Sequence, residues 1–267
     1  MLTLKTGEFF GNIESIFRGS HFTLSVTDYD QHDPHASERH YHLHPNMYFI
    51  LYGGVLEKYG GATFHRLAGN LSFYHAGQPH QNIRKLFPLR TINIELEQPF
   101  FDRNNVRIDQ LEKVISKNPD AKFLMLKLHQ ETETNDAFTA TSLEMSLLAL
   151  LTGFEKSKNE KPWPPWMKRL YELLQDRWDE VLTLEEISRH TGVHPITVSK
   201  HFPRFLGCSL GQYMRKLKIE RSLSLMHRCE SLSALAVECG FSDQSHFIRA
   251  FRQYTGYRPL EFKRMIG

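Results

Sequence analysis

Two groups of side chains in this 267-residue chain have the types and spacing for chemistry. In one stretch Ile196, Ser199 and Lys200 recur at i, i+3 and i+4, and in a later one Gln244, Ser245, Ile248 and Arg249 occupy corresponding places. On a helix each set shares one face. Lys and Arg donate to guanine or to phosphate, Gln pairs with adenine, and an apolar side chain meets a thymine methyl, so both faces carry groups that can read a duplex. The second group is imidazole-rich. His40, Tyr41, His42, Leu43 and His44 run together, His80 follows Gly77, Gln78 and Pro79, and ten of the fifteen histidines precede residue 130. Three histidines can hold a divalent metal, and an enzyme would want an open position beside it. They can equally hydrogen-bond a small molecule inside a cavity. Neither a nucleophile triad nor a phosphate-binding glycine loop accompanies them, so no catalytic residue is assigned and a non-enzyme is expected.

The elements that must carry the first group form an internal repeat. Thr183 to Gly192 recurs as Ser231 to Gly240, offset by 48 residues. Each copy opens on a hydroxyl residue, a preferred N-cap, and closes on glycine, a preferred helix terminator. Leu184 matches Leu232 and Ile187 matches Leu235. Past the glycines the offset is 49: Val198 matches Phe247, Lys200 matches Arg249, Phe202 matches Phe251, Gly207 matches Gly256, and Tyr213 matches Phe262. Each copy therefore spells a short helix, a left-handed glycine turn, an apolar pin (Val193, Phe241), and a second helix with one buried face and one outward face. That is a helix-turn-helix, whose second helix enters a major groove. A basic residue at the same place in both copies argues against plain scaffold.

The histidines need a different support. Residues 21–97 read as strands. Ile92, Ile94 and Leu96 alternate with Thr91, Asn93 and Glu95, the period of a half-buried strand. Met47 to Tyr52 is expected to end in a turn at Gly53-Gly54, with Val55 to Tyr59 as the next strand. Further turn signals at Gly60-Gly61, Gly69-Asn70 and Gly77-Gln78-Pro79 suggest an all-β sandwich or barrel. After about Asp109 the texture is helical. Leu143, Leu147, Leu150, Leu151 and Phe154 make one stripe, which packs on its own domain or forms a dimer seam. Glu155 to Pro165 is polar, carries Pro162, Pro164 and Pro165, and reads as a linker. From Trp166 onward the chain is helical, which places a domain boundary at 158/159, with residues 1–158 and 159–267 on either side.

Composition agrees with a soluble globular protein, at 40% hydrophobic and 24% charged residues. No run of about 18 apolar residues suggests a membrane span. Lys5, Glu8, Glu14 and Arg18 interrupt the N-terminus, unlike a secretory signal. Cys208, Cys229 and Cys239 are odd in number and lack metal-type spacing, which fits a reducing cytosol. Residues 1–159 hold 16 Lys+Arg against 18 Asp+Glu, while residues 160–267 hold 17 against 12, so net charges of −2 and +5 set a basic C-terminal part on a slightly acidic N-terminal one.

Residues 168–264 resemble the DNA-binding domain of the AraC/XylS family of bacterial transcription regulators. The resemblance rests on Lys218 to Met226, on Leu232 to Cys239, on Gly240, Phe241, Ser245, His246, Phe247 and Phe251 in a Gly-Phe-x-x-x-Ser-His-Phe-x-x-x-Phe pattern, and on Thr255, Gly256 and Pro259 beyond it. It implies two helix-turn-helix units joined by a long helix at about 210–227, entering adjacent major-groove segments. It also implies base readout by Ile196, Thr197, Ser199, Lys200, Gln244, Ser245 and Arg249. Pro203 departs from the family, and proline there is expected to remove a helical hydrogen bond and to kink the first recognition helix near its end.

The N-terminal part resembles the cupin β-barrel that commonly serves these regulators as a sensor, and Gly69 to His80 looks like the second cupin motif. In the first motif the glutamate is missing in either register, since Asn46 follows His40 and His42, and Tyr48 follows His42 and His44. The resemblance with an incomplete ligand set leads us to expect no metal and no cofactor, and an effector pocket using His40, His42, His44, Tyr48 and His80. Phe49, Tyr52, Phe73 and Tyr74 lie near, and alternation sends about half of the aromatics inward without saying which half. Such a cavity would suit a sugar or an aromatic acid. The expected fold is α+β: a cupin-like barrel with flanking helices, then an all-α domain of two helix-turn-helix units. The resemblance implies a homodimeric, ligand-responsive activator acting with RNA polymerase on double-stranded DNA, cytoplasmic and nucleoid-associated. The alternatives are a cupin metalloenzyme with a DNA-binding tail, and a ligand-independent DNA-binding protein whose barrel only dimerises.

Overall fold

In a computed structural model of the chain, residues 1–29, 38–112, 115, 118–134, 136–152 and 163–265 are described. The chain divides into two compact units, one of residues 1–116, 120–153 and 264–267, the other of residues 117–119 and 154–263. The expected boundary at 158/159, most of the proline linker, and Phe154 lie outside the described residues.

The first unit is built on one curled sheet, the half-barrel form of the expected cupin-like architecture. Its strands are β1 (Leu2–Leu4), β2 (Asn12–Arg18), β3 (Phe22–Tyr29), β4 (His40–His42), β5 (Asn46–Tyr59), β6 (Ala62–Leu67), β7 (Leu71–Tyr74) and β8 (His80–Leu96). The main path runs β1-β4-β8-β3-β2, and β5 pairs with β8 while carrying β6 and β7. Only β1 and β4 are paired in parallel among these strands. Two strands, β1 and β2, precede residue 21, where the sequence signal for strands began. Nearly every residue of β2 is exposed, so it has no buried stripe to betray it.

The long pair β5–β8 positions the histidine region. Met47 lies opposite Ile94 and Phe49 opposite Ile92 on one face; Asn46 lies opposite Glu95, Tyr48 opposite Asn93 and Ile50 opposite Thr91 on the other. Both faces of the last part of β8, residues 91–96, are buried. Ile92 and Ile94 are covered, and so are Thr91, Asn93 and Glu95. The alternation was sound, but its polar face turns into the curl of the sheet and not to solvent. The expected turn at Gly53-Gly54 is also absent: β5 continues through it. Register shifts between Ile50 and Gly54 mark a bulge. Gly53 has φ +80, and a Cβ there would overlap the carbonyls of Pro88 and Leu86 on the neighbouring strand. Glycine is required at this position by close strand approach.

Helix α1 (Gln98–Asn104), a 3-10 turn (Ile108–Gln110), α2 (Ala121–Thr134) and α3 (Thr139–Thr152) follow. Phe100 of α1 meets Phe22 of β3 edge-on at 6.2 Å. On α3, Leu143, Leu147, Leu150 and Leu151 are buried, and α2 packs on α3, so the stripe serves the unit's own core.

The second unit contains α4 (Pro165–Asp176), α5 (Leu184–Thr191), α6 (Pro195–Leu206), α7 (Leu210–Leu225), α8 (Leu232–Glu238), α9 (Gln244–Thr255) and α10 (Pro259–Met265). Met167, Leu170 and Leu174 of α4, Ile187 of α5, Val198 and Phe202 of α6, and Tyr213 and Leu217 of α7 form the first core. Phe247 and Phe251 of α9 stack on one another, and Phe251 meets Phe262 of α10, in the second. No described helix is long and apolar enough to cross a membrane.

Candidate functional site

The two helix-turn-helix copies repeat each other's local chemistry. Thr183 caps α5 in a capping box with Glu186, and Ser231 caps α8 by accepting the amide of Ala234. Both closing glycines are left-handed, Gly192 at φ +75 and Gly240 at φ +68. Gly240 is the more constrained. A Cβ there would overlap the Asp179 carbonyl, whereas at Gly192 the nearest atom is Arg169 Nη2 at 3.9 Å. Val193 packs against the first core and Phe241 is buried in the second. The recognition helices α6 and α9 then start on side-chain caps, His194 accepting from the Ile196 amide and Asp243 from that of His246.

Each helix buries its aromatic or aliphatic back, Val198 and Phe202 or Phe247 and Phe251, at essentially zero exposure. The opposite face is open. Ile196 is 67% exposed, and Ser199, Lys200, Gln244, Ser245 and Arg249 are exposed too, while Thr197 is half-buried. An exposed isoleucine in the first turn has no core role and is suited to a thymine methyl. Gln244 accepts the Ser233 hydroxyl at 2.5 Å, which orients its amide. Helix α6 runs unbroken from Pro195 to Leu206 through Pro203, and the positions 196–200 expected to read bases all precede that proline. Sequence reasoning did not single out Arg252 and Arg258, which with Ile248, Arg249 and Gln253 line an open groove. The signal was available, since Arg252 lies one turn beyond Arg249. Helix α7 touches both α6 and α9. Its Lys218, largely buried, donates to the Gly240 carbonyl at 2.7 Å and the Asp179 carbonyl at 3.4 Å, and burial lowers its pKa.

The curled sheet gathers the histidines. His40 and His42 come from β4 and His80 from the start of β8, where it pairs with His40. All three are buried, with ring centroids 4.2 Å apart for His40–His80 and 5.5 Å for His40–His42. His80 stacks on Tyr74 at 4.2 Å. Burial, reinforced by the two neighbouring imidazoles, pushes the His80 pKa down to about 3, so it is neutral near pH 7. The pocket is lined by Tyr48, Tyr74, Asn46, Asn82 and Asn93 besides the histidines, and the N-terminal Phe9 and Phe10 close it. Of the nearby aromatics, Tyr48 and Tyr74 are therefore the inward half. Phe49 and Phe73 belong to the other face of the sheet. His44 sits half-buried in the bend after β4, outside this lining.

Two further carboxylates reach this region, and neither was apparent from the sequence. Glu95 accepts from His42 Nδ1 at 3.1 Å, and its other oxygen accepts the Gly7 amide at 2.5 Å. Glu57, fully buried, takes the Tyr74 hydroxyl and Arg66 Nε. Both are polar members of strands whose apolar partners dominated the pattern. The room left among the lining side chains is only about 20 Å³, enough for about one water. A sugar or aromatic acid is larger than this room, so its entry requires lining side chains to rearrange.

Residues 187–265 match the family described as a helix-turn-helix domain. Over 144 residues the chain is 24% identical to the HTH-type transcriptional activator RhaS of Escherichia fergusonii, covering 52% of each protein. The chain thus spans about half the length of the curated relatives it matches. Similar solved structures include an AraC-type transcriptional regulator from Chromobacterium violaceum, with 24% identity, 38% of this chain, 91% of that one and a TM-score of 0.36. Unsaturated fatty acid-bound wild-type ToxT from Vibrio cholerae is another, with 14% identity, 96% and 97% coverage, and a TM-score of 0.37.

Proposed function

We infer that this chain, a member of the AraC/XylS family through its helix-turn-helix domain, is a sequence-specific DNA-binding transcription regulator whose N-terminal unit responds to a ligand. The observation that carries the reading is the pair α6 and α9. Each has a fully buried back and an exposed N-terminal face bearing a basic residue at the same place, Lys200 or Arg249. Ile196, Thr197, Ser199 and Lys200 read one major-groove segment and Gln244, Ser245 and Arg249 the next. Arg252 and Arg258 hold phosphates at the groove edge.

The regulator is a homodimeric activator that works with RNA polymerase in a bacterial cytoplasm, and it is not an enzyme. The similarity to an HTH-type transcriptional activator supports the activating role. Exposed Met145 on α3 and exposed Phe138 just before that helix support a dimer contact there. Ligand response requires the effector to bind two conformers of the protein differently. His40, His42, Tyr48 and His80 contact the effector, and His44 lies outside their lining.

The test is retention of random genomic fragments by the purified chain at about 150 mM salt, where phosphate-only binding is suppressed. The expected result is enrichment of a motif with two half-sites about one helical turn apart. Salt-sensitive retention without a motif would sink the reading.

A further inference from the structure

Gln244 opens the outward face of α9, and its amide carries an acceptor at one end and a donor at the other. With both ends free it matches adenine, whose N7 accepts and whose N6 amino group donates. The acceptor end is held. Ser233, in the first turn of α8, donates its hydroxyl to Gln244 Oε1 at 2.5 Å. Oxygen and nitrogen diverge in a planar amide, so Nε2 and its two hydrogens lie on the side away from Ser233. The rest of the face has the same polarity. Arg249 is a donor throughout. The Asp243 carboxylate is occupied by the His246 amide at 2.7 Å, the Ser242 hydroxyl at 3.2 Å and the Ser245 amide.

We propose that Ser233 is a positioning residue for base recognition: by holding Oε1 it turns Gln244 into a donor, so the second half-site carries guanine and not adenine at the base pair Gln244 meets. Guanine shows two acceptors, N7 and O6, to the major groove. Adenine shows one acceptor beside an amino group, which would face the Gln244 amino group donor to donor. The first helix-turn-helix copy has no such device. Glu185 stands where Ser233 does, at the offset of 48, and Pro195 stands where Gln244 does, at the offset of 49. Its exposed Ile196 suits a thymine methyl instead. The two half-sites therefore differ in sequence, and the chain lies on its operator in one direction.

This deepens the reading of α9 as a base-reading helix and rests on it. Ser233 and Gln244 are both exposed, so substitutions there leave the core untouched, and a thermal melt of each variant checks this. The purified full chain is titrated with a duplex enriched from genomic fragments and with every single-base variant of it. Wild type, Gln244→Ala, Ser233→Ala and Ser233→Thr are compared. The position whose preference disappears in Gln244→Ala is the base pair that Gln244 meets. In the wild type guanine should be favoured over adenine there by about tenfold or more, the discrimination of one well-placed pair. Ser233→Ala frees the amide to turn over, so the two bases should bind about equally. Ser233→Thr keeps the hydroxyl and should keep the preference. A Ser233 that serves only the fold would instead lower Tm, or weaken every duplex alike. Adenine at that position overturns the proposal, as does a guanine preference that survives Ser233→Ala, or a motif in which no position depends on Gln244. Each of these leaves the regulator standing, because the motif itself is retained. Absence of any enriched motif overturns the regulator and this proposal together.

Discussion

Arg249 projects from the exposed face of α9, opposite Phe247 and Phe251, which fill the back of the helix. Removing it therefore tests recognition with little effect on folding. Arg249→Ala should lose about 1–3 kcal/mol on the preferred site and relax base preference at one position, with Tm unchanged. Titration against every single-base variant of the selected operator checks this. A loss equal across all sequences, with the salt slope reduced by about one, would reassign Arg249 to a phosphate. The closing glycines give a contrast of a different kind. Both sit at positive φ, which costs a non-glycine residue about 1–2 kcal/mol. Only at Gly240 does a Cβ also overlap backbone, that of Asp179, and crowd Lys218 Nζ. Gly240→Ala should therefore destabilise the second unit clearly more than Gly192→Ala in urea melts. Equal effects would mean that the Asp179 segment yields freely.

At the scale of elements, β5 and α9 make separate predictions. Gly53→Ala should destabilise the sheet by more than Gly60→Ala. Both glycines have positive φ, but Gly60 has open space around it and Gly53 faces two carbonyls. Thermal melts of the two variants decide. For α9, the Asp243 carboxylate accepts the His246 amide at 2.7 Å, and that bond first, then the Ser242 hydroxyl, the Ser245 amide and Arg249, lowers its pKa. A carboxyl whose folded value is depressed contributes stability that is complete above its unfolded value and is lost as pH falls through the folded one. Acid should thus loosen the start of α9, and Asp243→Asn, which keeps an acceptor, should flatten that acid limb. The same elements show what the sequence could and could not disclose. The repeat made the helix-turn-helix units legible down to caps and glycines, because those are local rules. Glu95 was hidden because a polar residue alternating along a strand looks solvent-facing until the sheet is known to curl. Gly53 was hidden because a bulge and a turn share the same glycine signal, and only the neighbouring strand distinguishes them. The inward half of the aromatics, Tyr48 and Tyr74, needed the β5–β8 and β5–β7 registers, which are long-range facts.

For the molecule as a DNA reader, the decisive part is α7. It has 16 residues, so it spans about 24 Å as one straight element. It starts on a capping box between Ser209 and Gln212, and it is tied at its middle by Lys218 to the turn of the second unit. Tyr213 and Leu217 bury its other side in the first core. The two recognition helices are therefore held by a spacer that packs on both of them and has no glycine after Gly211. A rigid spacer demands a fixed phase between half-sites. Inserting five base pairs between them rotates the second by about half a turn, since B-DNA repeats every 10–10.5 base pairs. Affinity should then fall to that of a single unit, with a shallower salt dependence because one set of phosphate contacts is lost. Inserting ten base pairs restores the phase but not the distance, so it should not rescue binding. Lys218→Met removes the tie at Gly240 while leaving both readout faces intact. It should reduce affinity for the natural spacing more than for either half-site alone. If the five-pair insertion is tolerated by the wild type at unchanged affinity and salt slope, α7 does not fix the phase, and only one of the two helices reads DNA.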